Sequence, residues 1–330
     1  MKLTLLGGGG FRVPLMFRTL LADQSDRRVT ELRLWDTDAG RLAVIRSILQ
    51  AMAQGHPRAP EVRVAQNLEE AVAGTDFVFS AIRVGGTEGR ATEETIAHCC
   101  GVLGQETTGF GGLDYALRGI PTAVRIAETI ARLAPGAHLI NFTNPAGIIT
   151  EVSSRILGDR VIGICDSPVG LARRVLDTLE GAGLVATGTA SRVIAGDDRV
   201  RLDYVGLNHL GWLQRLLVDG DDVLPLLLER PDLIESFEEG RLFGAGWLRQ
   251  LGSVPNEYLH YYYFARETRR ADEAVEATRG VFLAAQQRDF YARAATLPGP
   301  EAYALWEATR LRREETYMAS NRLAAGGVER

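Results

Sequence analysis

The chain has 330 residues, 46% of them apolar, and a net charge of −5 with no basic run. That is enough to build a core in one large or two modest domains. The lack of a Lys/Arg cluster argues against nucleic-acid binding, which depends on displacing counterions. The three cysteines, Cys99, Cys100 and Cys165, make no disulfide framework and fit a reduced, cytoplasmic setting. The apolar run at the N-terminus breaks at four glycines, too soon for a signal peptide, and no stretch is long enough to cross a bilayer, so no membrane partner is expected.

In chain order, 2–6 reads as a strand ending in Gly7-Gly8-Gly9-Gly10, and 13–23 as a helix through Leu15, Met16, Leu20 and Leu21. Residues 31–36 form a second strand ending in an acid, 41–54 a helix, 61–65 a strand and 68–73 a short helix. The nearly continuous apolar run 76–82 is what a parallel strand buried on both faces requires. A helix over 120–133, a strand over 138–142, a helix over 148–156 and a strand over 160–165 follow. This alternation predicts a Rossmann-type, doubly wound parallel sheet with right-handed crossovers. Further on, 201–207 reads as a strand, 225–230 as a short helix opened by Pro225, and 271–295 as a helix. These predict a second, mixed α+β, mostly helical domain. The expected division is 1–170 for the first domain and 171–330 for the second, with a soft boundary between Cys165 and Ala190.

The glycine turn carries the first chemistry. A dinucleotide's pyrophosphate needs backbone N–H groups at close range and gains from a helix N-terminus. Gly7, Gly9 and Gly10, with the adjoining Phe11 and Arg12, stand where that turn belongs, although Arg12 occupies the third glycine position of the usual fingerprint. Asp36 ends the second strand, where a carboxylate accepts from ribose hydroxyls and repels a 2′-phosphate, which favours NAD over NADP. The plainer reading is a glycine-rich surface turn and a loop aspartate.

Three later segments stand out at or beyond strand ends: Asn141-Phe142-Thr143-Asn144-Pro145-Ala146, Cys165-Asp166-Ser167-Pro168, and Gly206-Leu207-Asn208-His209-Leu210-Gly211-Trp212. Open α/β sheets bind ligands at strand C-terminal ends, and a thiolate with an imidazole can hold a divalent transition metal. A cysteine ending a buried strand is more often an inert small hydrophobe, and a lone histidine is commonly a core or surface hydrogen-bonder. The Tyr258, Tyr261, Tyr262 and Tyr263 cluster also fits a packing stripe. Cys99 and Cys100, beside His98, lack metal-site spacing and are expected to pack on a helix.

Together with Ala81 to Gly86, Gly104 to Gly109 and Val254 to Tyr262, these segments resemble glycoside hydrolase family 4, the NAD- and Mn-dependent glycosidases, and among its members most the 6-phospho-β-glucosidases. The family is an exception to two-carboxylate glycoside hydrolysis. The resemblance implies a lactate/malate dehydrogenase-like fold. It also implies an elimination–addition route: hydride leaves C3 for NAD⁺, a tyrosinate takes the C2 proton, the C1–O bond breaks, water adds and the hydride returns. It implies Cys165 and His209 as ligands of a divalent metal, Mn in the family. It implies Tyr258 as base, Glu106 as the group that raises its basicity, and Asp166 as proton donor to the leaving group. Arg83 joins the cofactor residues, and Arg90, Asn144, Asn208 and Arg270 bind substrate, a small sugar carrying a 6-phosphate. A homodimer or homotetramer is expected. Asp166 belongs with α-specific members, whereas the flanking segments fit β-specific ones, so the anomer stays open. The ending Ala324 to Arg330 reads as an open loop, as if part of the family's C-terminal region were lacking. Two other classes remain: a simple NAD-dependent dehydrogenase, which would release NADH, and a non-catalytic NAD- or sugar-phosphate-binding protein.

Overall fold

The computed structural model describes residues 1–274 and 277–315, which fall into two units. The first opens with strand β1 (Lys2–Leu6), helix α1 (Val13–Ala22), β2 (Glu31–Trp35), α2 (Ala39–Ala53), β3 (Glu61–Val64), α3 (Leu68–Val72) and β4 (Phe77–Ser80). It continues through α4 (Gly86–Cys99), α5 (Gly109–Leu133), β5 (His138–Asn141), α6 (Ala146–Leu157) and β6 (Val161–Gly163). All strand pairs are parallel and the order is β3-β2-β1-β4-β5-β6, the doubly wound arrangement that the alternating sequence pattern predicts. The sheet order reverses between β1 and β4, so the turns after these two strands flank the switch point where such sheets bind ligands.

Alternation along each strand sends Leu3 and Leu5, or Leu32 and Leu34, into a core with Phe17, Ile45, Ile48 and Leu49. Each such side chain contributes about 1.5–3 kcal/mol on full burial. Thr4, buried on the opposite face of β1, is satisfied by the Ala71 carbonyl at 2.6 Å. The Asp38 carboxylate caps α2 by accepting from Arg41 N–H at 2.9 Å.

The second unit holds α7 (Ser167–Gly181), α8 (Thr189–Ala195), β7 (Val200–Leu207), β8 (Leu210–Val218), β9 (Asp221–Asp222) and α9 (Leu224–Leu228). Short helices α10 (Pro231–Ile234), α11 (Glu238–Phe243) and α12 (Ala245–Leu251) precede β10 (Val254–Pro255), α13 (His260–Tyr263) and α14 (Ala265–Ala274). β7 and β8 form an antiparallel hairpin, with β10 and β9 both pairing with β8. Leu171, Val175, Leu176 and Leu179 of α7 share a core with Leu213 and Leu216 of β8 and Leu248 of α12.

The chain then returns to the first unit through α15 (Arg279–Ala294) and α16 (Gly299–Glu315). The expected split into 1–170 and 171–330 therefore differs from the observed one, which falls after Ile164 and gives 277–315 back to the sheet. Packing explains the return: Phe290 and Trp306 are buried in the core of β1, β2 and α2, and Phe290 meets Phe11 edge-on at 5.1 Å. The single helix expected over 271–295 is two, α14 and α15, the latter capped by the Thr278 hydroxyl accepting from Val281 N–H.

Two further differences have local causes. α5 begins at Gly109, well before the expected 120, because its glycines are packing residues. A Cβ on Gly111 would lie 2.4 Å from the Gln105 carbonyl oxygen, and one on Gly112 2.7 Å from the Thr107 carbonyl carbon. Cys99 and Cys100 are exposed rather than packed, since α4 buries Thr87, Arg90, Glu93, Glu94 and Ala97 instead. The 324–330 ending lies outside the described residues. Among the described residues no helix is long and apolar enough to cross a membrane.

Candidate functional site

In the first unit the turn after β1 is built so that side chains are excluded. A Cβ on Gly7, whose φ is +86°, would lie 2.6 Å from the Ala81 carbonyl, and one on Gly9 3.0 Å from the Asp36 carboxylate. Gly10 N–H donates to the Gly7 carbonyl at 2.9 Å, closing the turn. Asp36 accepts from Gly9 N–H at 2.9 Å through one oxygen and from Asp38 N–H at 3.0 Å through the other, which leaves lone pairs for ribose hydroxyls. Helix α1 starts with no side-chain cap and no acid in its first turn. A bare glycine turn leading into a helix N-terminus fits a pyrophosphate, and the acid after β2 fits its ribose. Two returning helices fix this turn from behind. The Tyr291 hydroxyl donates to the Gly9 carbonyl at 2.6 Å and the Trp306 indole N–H to the Phe11 carbonyl at 2.7 Å. Because the peptide units are planar and trans, the N–H groups of Gly10 and Arg12 are thereby turned the other way.

Beyond β4, Arg83 lies against the Tyr115 ring at 4.8 Å and pairs with Glu106, which also pairs with Arg90. Arg90 is buried and bridges to Glu94 at 2.6 Å. Glu106, expected to act on Tyr258, thus holds two arginines of its own unit, while Tyr258 belongs to the other unit. Asn144 is half-buried just past β5, in a segment pinned by Asn141 accepting from Thr143 N–H at 3.1 Å.

Sequence reasoning missed two arginines here. Glu94 also accepts from Gly280 N–H at 2.6 Å, which docks the start of α15, and with it Arg279, onto α4 beside Arg90. Arg279 in turn donates to the Arg313 carbonyl at 3.0 Å. Burial, and then the charges of Arg12, Arg279, Arg90 and Arg83, push the Arg313 guanidinium down to about 9, and Arg83 and Arg90 are themselves paired with Glu106 and Glu94. Arg270, the arginine expected to bind substrate, is exposed on α14 in the second unit. Only the fold could have singled out Arg279 and Arg313, because they adjoin Arg90 through the return of the chain.

The second unit gathers Cys165, His209 and Tyr258. Cys165 follows β6 and leads into α7, and His209 ends the two-residue β7–β8 connection with Asn208. Gly206 and Gly211 face each other across that hairpin, where a Cβ on Gly211 would lie 2.5 Å from the Tyr204 ring. His209 has φ +62°, a left-handed conformation uncommon for a residue with a Cβ and one that clusters at functional sites. Its Nε2 is 3.3 Å from Cys165 Sγ, close enough for one ion to touch both. Burial lowers the His209 pKa to about 4, leaving a neutral imidazole with a lone pair to give. Burial raises the Cys165 thiol, while hydrogen bonds from the Ser167 backbone and the Asn208 side chain oppose that shift. Among the described residues no group of three or more His, Cys, Asp or Glu is placed to hold a metal ion. Softness and pairing both fit a divalent transition ion.

Tyr258 stacks on His209 with ring centroids 4.0 Å apart and planes 13° from parallel. Its turn is hung on the same hairpin: Val254–Pro255 pairs with β8, Asn256 N–H donates to the Gly211 carbonyl at 2.9 Å, and the Asn256 side chain accepts from Tyr258 N–H at 3.1 Å. Tyr263 meets the Trp247 ring at 4.7 Å, and both Tyr262 and Tyr263 are exposed. Asp166 is exposed at the cap position of α7, beside Cys165.

Behind Tyr258 the sequence hides a buried acid. Glu257 accepts from the Ser167 hydroxyl at 2.9 Å and lies 3.7 Å from Arg174, whose guanidinium is paired chiefly with Glu239. Burial, and then the Glu239 carboxylate, push Glu257 up to about 7 from the usual 4.5. Between those values the folded chain keeps a proton that the unfolded chain has released, so stability falls as pH rises from about 4.5 to about 7 and is flat above. Glu257→Gln should remove this loss. Its melting temperature relative to the unsubstituted chain should rise between pH 5 and pH 8, by the equivalent of at most about 3 kcal/mol. An offset independent of pH would contradict the assignment.

Comparison with known proteins places these features in context. The model of the family described as Family 4 glycosyl hydrolase matches residues 2–180, and that of the Family 4 glycosyl hydrolase C-terminal domain matches 204–325. The 6-phospho-β-glucosidase of Escherichia coli is 30% identical over 282 residues, which are 81% of this chain and 58% of that protein. The 6-phospho-α-glucosidase of Leptotrichia buccalis is 31% identical over 280 residues, 80% of this chain and 60% of that one. The 6-phospho-β-glucosidase of Thermotoga maritima, solved with manganese, NAD⁺ and glucose-6-phosphate, has a TM-score of 0.77 at 27% identity, covering 95% of this chain and 72% of that chain. The chain thus spans 58–60% of the length of these two curated relatives.

Proposed function

Because this chain belongs to the family 4 glycosyl hydrolases, we propose that it is an NAD- and divalent-metal-dependent 6-phosphoglucosidase, acting on β-linked 6-phosphoglucosides. The observation that carries the reading is the convergence of Cys165, His209 and Tyr258 in the second unit. The glycine turn and Asp36 of the first unit supply the cofactor half. The Thermotoga relative was solved with manganese, NAD⁺ and glucose-6-phosphate, which supports all three ligands here.

Bound NAD⁺ would supply a hydride acceptor for C3 of the sugar, and a divalent ion, taken as Mn²⁺, would supply Lewis acidity at the C2 and C3 oxygens. Cys165 and His209 hold the ion, and Asn208, hydrogen-bonded to the Cys165 sulfur, steadies that ligand. With C3 a ketone, the C2 proton is acidic and passes to the Tyr258 oxygen. The C1–O bond then breaks, and Asp166 protonates the leaving oxygen. Water would add at C1 with its proton going to Asp166, and Tyr258 would return its proton to C2; with the cofactor regenerated in each cycle, no NADH would accumulate. Arg90 and Asn144 bind the sugar. The arginine locus of Arg12, Arg279 and Arg313 fits its 6-phosphate, for which the sequence alone offered no residue.

The test is hydrolysis of p-nitrophenyl β-glucoside 6-phosphate, with and without NAD⁺ and Mn²⁺, beside its α-anomer and the unphosphorylated glucoside. Release that needs both additions, with no net NADH, is expected. Net NADH would mean a dehydrogenase, and NAD⁺ binding without release a non-catalytic binder. Preference for the α-anomer would give Asp166 the weight that the flanking segments carry here.

A further inference from the structure

The metal ligands and base of that reading stand on three separate pieces of chain: the turn after β6, the end of the β7–β8 hairpin and the turn after β10. Contacts that none of the assigned roles requires close these pieces into a ring. The Ser167 backbone hydrogen-bonds the Cys165 sulfur. The Ser167 hydroxyl donates to Glu257 at 2.9 Å in a buried contact. Glu257 precedes Tyr258 in the chain, Tyr258 stacks on His209 at 4.0 Å, and His209 Nε2 returns to Cys165 Sγ at 3.3 Å. From outside the ring, Arg174 holds Glu257 at 3.7 Å while pairing with Glu239.

Fold stability gives no reason for the acid. Glu239 and Glu257 are both buried and share one guanidinium, a surplus of negative charge that a neutral side chain of the same shape would relieve. What Glu257 supplies is an acceptor oxygen where a side chain of the cysteine turn meets one of the tyrosine turn.

Building on the function proposed above, we propose that Glu257 is a positioning residue, whose hydrogen bond from Ser167 sets the Cys165–His209 donor pair and the Tyr258 ring in one arrangement, so that divalent-metal affinity depends on it. Groups that orient metal ligands typically change affinity by about 10–100-fold when removed. The acceptor matters rather than the charge, so a glutamine preserves the ring and a leucine breaks it.

The experiment titrates Mn²⁺ into the full chain, following the free-ion paramagnetic signal, for the unsubstituted protein, Ser167→Ala, Glu257→Leu, Glu257→Gln and the Ser167→Ala/Glu257→Leu double variant. NAD⁺ affinity is measured in parallel. Ser167→Ala and Glu257→Leu should each weaken Mn²⁺ binding by about 10-fold or more, and Glu257→Gln by less than about 3-fold. The double variant should be no worse than the worse single one, because both remove the same bond. NAD⁺ affinity, a property of the other unit, should not move. Mn²⁺ affinity unchanged in Ser167→Ala, additive losses in the double variant, or an equal loss in Glu257→Gln and Glu257→Leu overturns the proposal. If Glu257→Leu does not fold, Ser167→Ala and Glu257→Gln decide. Failure of the unsubstituted chain to take up Mn²⁺ overturns the metal reading and this proposal together, whereas an unaffected Ser167→Ala overturns this proposal alone.

Discussion

Tyr258→Phe should lower kcat by about 10²–10⁴-fold, the usual worth of a positioned general base, while leaving Mn²⁺ and NAD⁺ affinity within about 3-fold. The separation follows from geometry. Phenylalanine keeps the ring that stacks on His209 at 4.0 Å, and Asn256 still accepts from the backbone N–H of residue 258. What disappears is the oxygen that, on the proposed function, takes and returns the C2 proton. The phenol's ordinary pKa near 10 makes it a poor base at neutral pH unless a nearby cation lowers it, and the His209–Cys165 pair beside the ring is where such a cation would be held. The variant should therefore also lose exchange of the C2 hydrogen with solvent deuterium, a readout that a packing role would not move. A kcat within about 10-fold of the unsubstituted chain, with exchange intact, would assign the base elsewhere.

Much of the fold was legible because the physics of a parallel sheet is local in sequence. Runs such as 76–82 must be apolar on both faces, and the glycines after β1 must lack side chains where Ala81 and Asp36 crowd them. The parts that escaped break those rules. Helix α4 turns Thr87, Arg90, Glu93 and Glu94 inward, so it has no apolar stripe to read. The early turns of α5 are rich in glycine, a residue that argues against a helix until the packing partners are known. Nothing within 277–315 announces that Phe290 and Trp306 belong to a core laid down by residues 3–52. The candidate site shows the same division. Cys165, His209 and Tyr258 lie in distinctive segments, and the structure brings them together. Arg279 and Arg313 gather with Arg90 only through the chain's return. Glu257 left a faint signal, the one acid in the tyrosine-rich run from Val254 to Tyr263, and an acid in such a run is either paired and buried or out of place.

Cys165→Ala should weaken Mn²⁺ binding by about 100-fold or more, since losing a ligand costs at least what losing a group behind a ligand does. Among the described residues the metal has two candidate protein donors, so the substitution removes half of what the chain offers. It also removes the sulfur 3.3 Å from His209 Nε2, leaving a neutral, buried imidazole as the remaining candidate donor of the pair. Cys165→Ser separates ligation from packing. It fills nearly the same space with a neutral hydroxyl in place of an anionic thiolate, so Mn²⁺ should bind it with an affinity between those of the cysteine and alanine forms. NAD⁺ affinity should be unchanged in both, because the glycine turn and Asp36 draw their hydrogen bonds from their own unit. The measurement is Mn²⁺ titration beside NAD⁺ titration for the three forms. Equal Mn²⁺ affinities would leave Cys165 as the small buried hydrophobe that its position at a strand end also permits. Parallel losses of Mn²⁺ and NAD⁺ would mean damage spread beyond the second unit. An ordered series of cysteine, serine and alanine, seen in the metal alone, is what a ligand and no other role of this side chain produces.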